Sequence, residues 1–426
     1  MALPHNSLPD PLFNVPEELW LEIFYYATVG TCIDDGVDYV PFAAIPLQKR
    51  DSPGFKQRCF ATKRNLLLVC KAWNALATET MYRTIRICHG TNELLDALYL
   101  NTPSEKARGG NGRFVRNVEI NSIVQDFDPF NPTIVAQILA QCPGIVSLTR
   151  PFALDDVNLA ICKVRVSDGS QQSPHTQVIP RFPTLSALRR VDWSLPFTIL
   201  SGRSDLPSTE VCDDLLGDII KHAPNLRYLT IGGPPRSYIS LQHHSFPPIL
   251  SLRNLTTLRL ECDVHFDHGK LTATTWQLPN LTHLLVGDSY SVAIFVIKAC
   301  GSHLKVLEII QKSSWRTGIV SALFHDFLSR TPNLEEFNFP LDYFSYRPLP
   351  SVYPSTLRTI RLYLGTRSPT RLSDPMFDFL KVPHRLPVLK HLVFYNHGRW
   401  QEAFQQPTFL LVKQALEERS CSIEFA

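Results

Sequence analysis

PNLRYLTI, residues 224–231, is the stretch that decides the fold. Its Leu226, Leu229 and Ile231 follow the spacing L-x-x-L-x-L, and the last two alternate with other residues at the period of a half-buried strand. The phrase returns as LRNLTTLRL (252–260), PNLTHLLV (279–286), SHLKVLEI (302–309), PNLEEFNF (332–339), STLRTIRL (355–362) and PVLKHLVF (387–394). Shorter copies precede it: YRTIRI (82–87), VRNVEI (115–120), IVSLTR (145–150) and LRRVDW (188–193). The first leucines of the clear copies, at 226, 255, 281, 304, 334, 357 and 389, lie 23 to 32 residues apart. One such strand cannot bury its apolar side alone, but parallel strands stacked one per repeat share a continuous core.

Between the copies the apolar period changes to that of a helix. Residues 209–223 place Leu215, Leu216, Ile219 and Ile220 on one face, and residues 131–142 do the same with Ile134, Val135, Ile138 and Leu139. Residues 292–300, 319–328 and 409–418 are also expected to be helical. Pro143, Pro224 and Pro332 stand just before strands, where proline stops a helix. The predicted unit is therefore strand, loop, helix, proline, strand.

This pattern resembles the leucine-rich-repeat family over about residues 80–426. The resemblance implies an α/β fold class, with an irregular solenoid of parallel strands and helices over 81–426. Repeat lengths are uneven and the asparagine that the family places after the strand is mostly missing, so a regular horseshoe is not expected. A doubly wound α/β domain would also alternate strands and helices, but it has no need of a repeated Pro-Asn-Leu. Residues 102–112 and 167–177, rich in Gly, Ser and Gln, are expected to be mobile loops. The more apolar 236–251 is expected to fold over one face. Two N-x-T sequons, at Asn254 and Asn280, read as parts of the repeat rather than glycan sites.

Upstream, VPEELWLEIF (15–24) opens with proline and two acids, as a helix N-terminus prefers. Leu19, Trp20, Ile23, Phe24 and Ala27 then make a broad apolar face. A second segment, 64–87, starts helical, with a stripe of Leu66, Val69, Cys70, Trp73 and Leu76, and ends in the first strand. VPEELWLEIF followed by LLLVCKAWNALA resembles an F-box, and is similar to fungal F-box-like proteins. Val15 stands where that family has leucine; Pro16, Glu17, Leu19, Ile23 and Phe24 match its opening, and Val69, Cys70, Lys71 and Trp73 its closing motif. The module spans 1–80, interrupted at 28–58 by an insertion with Pro41, Pro46, Pro53, Gly36 and Gly54, expected to be an extended loop. Such a loop is tolerable, since doubling its length costs only about 0.6 kcal/mol in closure entropy, and it could shield or reshape the partner surface.

The resemblance implies a substrate receptor of a Skp–cullin–F-box ubiquitin ligase, with chemistry elsewhere. Docking to the Skp-family adaptor would use Val15, Pro16, Leu19, Ile23, Phe24, Leu68, Val69 and Trp73, some of which must also build the module's own core. A protein target would meet the strand positions that alternate with the core leucines, expected to be exposed: Tyr228, Arg259, Glu261, His283, Glu308, Asn338, Arg361 and Tyr363, with Thr230, Thr257, Glu336, His391 and Tyr395 beside them. The competing expectation is a repeat scaffold whose F-box-like start serves as a structural cap.

Composition narrows the alternatives. With 42 basic and 39 acidic residues, net +3, the chain lacks the concentrated basic face that nucleic acid needs. Ten scattered cysteines, none in a CxxC pair, read as reduced and intracellular. The first twenty residues have neither a basic nor an apolar leader region and no apolar run approaches a membrane span, so a cytoplasmic or nuclear protein is expected. No P-loop, GxGxxG, HExxH or GxSxG occurs. His243-His244, and His265 and His268 around Asp267, are the densest histidine clusters, and neither has a convergent set of partners. A non-enzyme without metal or cofactor is expected.

Overall fold

The computed structural model of the chain describes residues 15–28, 39–42, 53–87, 91–99, 110–120, 132–151, 182–194, 210–232, 249–261, 275–287, 290–310, 327–340, 354–363, 380, 386–395 and 401–426. Each copy of the strand phrase forms a strand: β1 (Thr84–Ile87), β2 (Asn117–Ile120), β3 (Ser147–Arg150), β4 (Arg190–Ser194) and β5 (Tyr228–Gly232). Later come β6 (Ile249–Ser251), β7 (Thr257–Leu260), β8 (Thr275–Gln277), β9 (His283–Val286), β10 (Val306–Ile309), β11 (Glu336–Pro340), β12 (Thr359–Tyr363), β13 (His391–Tyr395) and β14 (Ser422–Phe425). All but β6 and β8 lie in chain order in one open twelve-stranded sheet, each parallel to the next. Strands β6 and β8 pair with each other in a small second sheet, which the sequence pattern does not announce.

Register follows the leucines. Ile85, Val118, Leu148, Val191, Leu229, Leu258, Leu284, Leu307, Phe337, Ile360, Leu392 and Ile423 stand opposite one another, strand after strand. Their row shares one core with the apolar faces of helices α5 (Pro132–Ala140) and α6 (Glu210–Lys221) and with the repeat leucines Leu226, Leu255, Leu281, Leu304, Leu334, Leu357 and Leu389. Such a core is shared along the whole array, so no repeat is stable without its neighbours.

A polar rule explains the phrase Pro-Asn-Leu. The amide of Asn225 donates to the Ser186 carbonyl at 2.8 Å, Asn254 to Pro224 at 2.9 Å, Asn280 to Arg253 at 2.6 Å and Asn333 to Ser302 at 2.8 Å. Each asparagine thus ties its repeat to a backbone carbonyl of the one before, on the side where the chain enters the strand. The ladder thus stands before the strand in each of these repeats. Both sequon asparagines, Asn254 and Asn280, are engaged in this way.

Upstream of β1, helices α1 (Glu17–Thr28), α2 (Pro53–Leu67) and α3 (Lys71–Tyr82) pack on one another, and α3 runs into β1. The Arg83 carbonyl at that junction accepts from both Arg116 and Asn117 N–H, joining the module to the second repeat. Two expectations change here. The insertion is not extended throughout, because α2 begins at Pro53, a residue suited to the first turn of a helix. The helix expected from residue 64 is two helices. A turn at Leu68–Cys70 breaks it, Cys70 being extended (φ −159°, ψ 170°) as the N-cap of α3, while the Asn74 amide closes the end of α2 on the Leu67 carbonyl at 2.9 Å.

Further differences are local. The end of the expected 102–112 loop, Asn111 and Gly112, belongs to a 3-10 turn at Asn111–Phe114 rather than to a loose segment. A Cβ at Gly112 would stand 1.9 Å from the Gln141 carbonyl oxygen, so that glycine serves close backbone packing between repeats. Helix α4 (Thr91–Tyr99) follows β1, α7 spans Tyr290–Cys300, and α8 (Gln401–Phe404) with α9 (Pro407–Glu417) precedes the last strand. Of the helix expected over 319–328, only its end is described, where 327–330 are helical. The stretch 167–177 and the two histidine clusters lie outside the described residues, and 236–251 is described only from β6 onward. At the far end Phe394 stacks on Phe425 with centroids 5.6 Å apart and meets Phe404 and Phe409 edge-on. Among the described residues Cys59, Cys70, Cys142, Cys300 and Cys421 are free thiols, and no helix is long and apolar enough to cross a membrane.

Candidate functional site

Two surfaces carry the functional expectations. The first is the helical module. Trp20, Phe24 and Trp73 form its interior: Trp73 lies 4.9 Å from Trp20 and 5.0 Å from Phe24 between ring centroids. Phe24 is only 1% exposed and turns away from any partner, and Trp73 is half-buried among these rings. Both belong to the module's own core, where their rings and that of Trp20 pack against one another. The outside is different. Leu19 (49% exposed) and Ile23 (50%) line α1, with Pro16 exposed one turn earlier and Val15 half-buried before it. Leu68 (74%) and Val69 stand out from the turn between α2 and α3. Tyr26 continues the α1 stripe and Phe60 projects from α2; the sequence reading missed both, although Tyr26 lies three residues beyond Ile23, where the helical period would extend the stripe. Scattered exposed leucines are ordinary; here Leu19, Ile23, Tyr26, Phe60, Leu68 and Val69 are all exposed on one three-helix unit.

The second surface is the face of the large sheet that alternates with the core row. Of the residues expected to be solvated, His391 is exposed; the others are buried or half-buried, because they pair with one another along and across the strands. Arg86 bonds Glu119 at 2.9 Å, and Ser147 donates to Asn117 at 2.7 Å. Asp192, fully buried, accepts from Arg190 and from the Thr230 hydroxyl, each at 2.6 Å, while the Arg190 guanidinium lies over the Tyr228 ring. Arg259 pairs with Glu261 inside the sheet face. Arg361 reaches Glu336 at 2.9 Å and the Tyr395 hydroxyl at 3.3 Å, and the Asn338 amide donates to Glu336 at 2.8 Å. Burying these charges is tolerable only because each is paired.

Between β9 and β13 this face is occupied by a piece of the insertion. The Tyr39 hydroxyl donates to the Glu308 carboxylate at 2.6 Å and accepts from the Asn338 amide, and the Phe42 N–H donates to the same carboxylate oxygen at 3.0 Å. The Tyr39 ring lies 5.1 Å from His283, and the Phe42 ring 5.5 Å from Tyr363 and 5.1 Å from Tyr395. Four residues, 39–42, thus touch five successive strands. Burial pushes the Glu308 carboxyl above the usual range, although the two donors of the insertion and Arg259 pull it back. Burial and the Glu308 charge push the Tyr39 hydroxyl well above an ordinary phenol, so it stays a donor. His283 is pushed down by burial and rests as a neutral ring. Tyr39 and Phe42 carried a weak sequence signal, two aromatics around a proline inside a segment otherwise read as linker.

A shallow cleft of about 360 Å³ lies between Trp276–Pro279 and Ala299–His303. Its thiol, Cys300, is pushed up to about 12 by burial and bonds the Val296 carbonyl at 2.9 Å, the state of an inert cysteine rather than a nucleophile. Among the described residues no group of three His, Cys, Asp or Glu side chains is placed to hold a metal ion.

No family model matches the chain, and no curated protein matches it. Two solved structures align over most of it. One, a Bacteroides fragilis protein, is 12% identical, covers 83% of this chain and 76% of its own, and gives a TM-score of 0.33. The other, the leucine-rich repeat-containing protein LegL7 from Legionella pneumophila, is 12% identical, covers 80% of this chain and 89% of its own, and gives a TM-score of 0.38. The architecture rests on this chain's own register. It is an open, leucine-rich-repeat-like solenoid of parallel strands.

Proposed function

We propose that the chain is a non-catalytic substrate receptor of a Skp–cullin–F-box ubiquitin ligase, docking to the Skp-family adaptor through the helical module and presenting the repeat sheet to a protein target. One observation carries the reading: Leu19, Ile23, Leu68 and Val69 remain outside a module whose interior is already filled by Trp20, Phe24 and Trp73. Exposed aliphatic side chains on a small helical unit are anchors for a helix-packing interface. Pro16 lies on the same α1 stripe; Phe24 and Trp73 act by holding the helices that present it. The receptor works in the cytoplasm or nucleus, where the adaptor is.

The test is co-elution of the purified chain with a Skp-family adaptor, comparing wild type with Ile23→Asp and Leu68→Asp. A stoichiometric wild-type complex that both folded variants lose supports the reading. A wild type that never binds, or variants that bind as well as it does, contradicts it.

The second reading, a scaffold capped by its F-box-like start, is favoured by the junction at Arg83, where α3 passes directly into β1 and its backbone bonds the next repeat. A cap predicts that deleting residues 1–80 leaves an aggregating remainder. The receptor reading requires in addition that point changes on the outer face abolish docking without disturbing the fold.

A further inference from the structure

The geometry points to the second sheet face between β9 and β13 as a binding site for a short target segment carrying a tyrosine and a second aromatic residue three positions on, with Tyr39–Phe42 seated there as the chain's own resident ligand. This rests on the reading of the repeat sheet as the target-binding surface and names the chemistry that surface takes.

The site is defined by what its occupant supplies. Among the described residues the Glu308 carboxylate, 1% exposed, takes its hydrogen bonds from the Tyr39 hydroxyl and the Phe42 N–H. A buried carboxylate demands such donors. Beside it the Asn338 amide donates back to the phenol, so that one hydroxyl is read by both an acceptor and a donor. Further along, Tyr363 and Tyr395 receive an aromatic ring. These features describe recognition of one short peptide, Tyr-Val-Pro-Phe, by side chains of five strands.

The resident segment is seated on the face, not sunk into the core. Val40 points out to solvent, and Tyr39, Pro41 and Phe42 are each only half-buried. Phe42 has φ 51°, a left-handed conformation that is strained for a non-glycine residue. That strain opposes the contacts holding the segment, so displacement is easier than the contact set alone implies. A target segment must compete with a ligand on the same chain, whose effective concentration is high. Occupied, the site is closed to weak ligands; a target with the same chemistry and no strained residue opens it. The acidic pair Glu308 and Glu336 sets a further rule. A phosphate on the incoming tyrosine would place about two negative charges where the phenol oxygen now meets the buried Glu308 carboxylate, so the site selects the unmodified tyrosine.

The experiment uses the full chain and a fluorescent peptide of residues 37–44, VDYVPFAA, followed by anisotropy. Wild type is compared with Tyr39→Ala/Phe42→Ala, which detaches the resident ligand, and with that variant carrying Glu308→Ala as well. The detached variant is expected to bind the peptide at least tenfold more tightly than wild type. Adding Glu308→Ala is expected to return binding to the wild-type level or below, and a phosphotyrosine form of the peptide is expected not to bind. A folded detached variant that binds no better than wild type overturns the inference. So does a detached variant that loses its fold, since a displaceable occupant cannot be essential to the sheet. Adaptor co-elution is read on the same preparations. Peptide binding without adaptor docking would sink the ligase reading alone, and docking without peptide binding would sink this inference alone.

Discussion

The Tyr39 hydroxyl lies 2.6 Å from the Glu308 carboxylate, a hydrogen bond that joins residues 269 positions apart and ties the insertion of the helical module to the middle of the repeat sheet. It makes stability depend on pH in a definite direction. Burial holds the Glu308 carboxyl above its ordinary 4.5, so the folded chain binds that proton more tightly than the unfolded chain does. A raised carboxyl contributes stability at low pH that is lost as pH climbs from about 4.5 through the folded value. Glu308→Gln keeps an acceptor for Tyr39 and Phe42 and carries no such loss. The melting temperature of Glu308→Gln should therefore rise relative to wild type between pH 4.5 and neutrality. A gap that stays constant with pH would show that Glu308 is not desolvated as described.

Trp73 and Ile23 should separate folding from docking. Trp73→Ala removes the ring that fills the space between Trp20 and Phe24, and is expected to cost about 3–5 kcal/mol in denaturant unfolding of the module. Ile23→Asp alters a half-exposed side chain and should change stability by less than about 1 kcal/mol. Equal losses from the two would mean that Ile23 belongs to the core.

The asparagine ladder predicts a repeated small effect. Asn254→Ala or Asn280→Ala deletes one bond from a repeat to the carbonyl before it, at a cost of about 1 kcal/mol each. Substitution of the neighbouring exposed Arg253 by alanine serves as the control for side-chain removal at that turn, and thermal melting should distinguish the two.

Asp192 predicts a larger one. Its carboxylate is fully buried and accepts from Arg190 and Thr230. Asp192→Ala strips a buried guanidinium of this partner, at a cost of about 3–5 kcal/mol. Chemical denaturation of the variant, read by far-ultraviolet circular dichroism, gives the value. A loss below 1 kcal/mol would mean that solvent reaches the pair.

The sheet was legible because its signal repeats. Leu229, Leu258, Leu284 and Leu307 recur at the same place in the phrase, and the structure sets them side by side. Even the weak copies ending at Ile87, Ile120, Arg150 and Trp193 became strands, since pairing with a parallel neighbour leaves a short segment little choice. Alternation showed which residues share the second face but not how deeply they lie. Tyr228, Arg259 and Glu308 read as solvated because their burial depends on pairs made across strands and on a segment far away in sequence. The α2–α3 turn was missed because Leu66, Val69 and Trp73 keep helical spacing through it; Cys70, extended as a cap, interrupts the backbone without interrupting the pattern. Tyr39 and Phe42 left only a trace, since a contact with Glu308 has no local period to announce it. Phe24 matched a motif position without being a contact, because a motif records core and surface residues alike.

The most direct measurement is a calorimetric titration of a Skp-family adaptor into the full chain, with Ile23→Asp as the comparison. The account predicts saturable one-to-one binding by wild type with a negative heat-capacity change, the mark of apolar burial, and at least a hundredfold loss in a folded Ile23→Asp. No heat with wild type, or undiminished binding by Ile23→Asp, would contradict it.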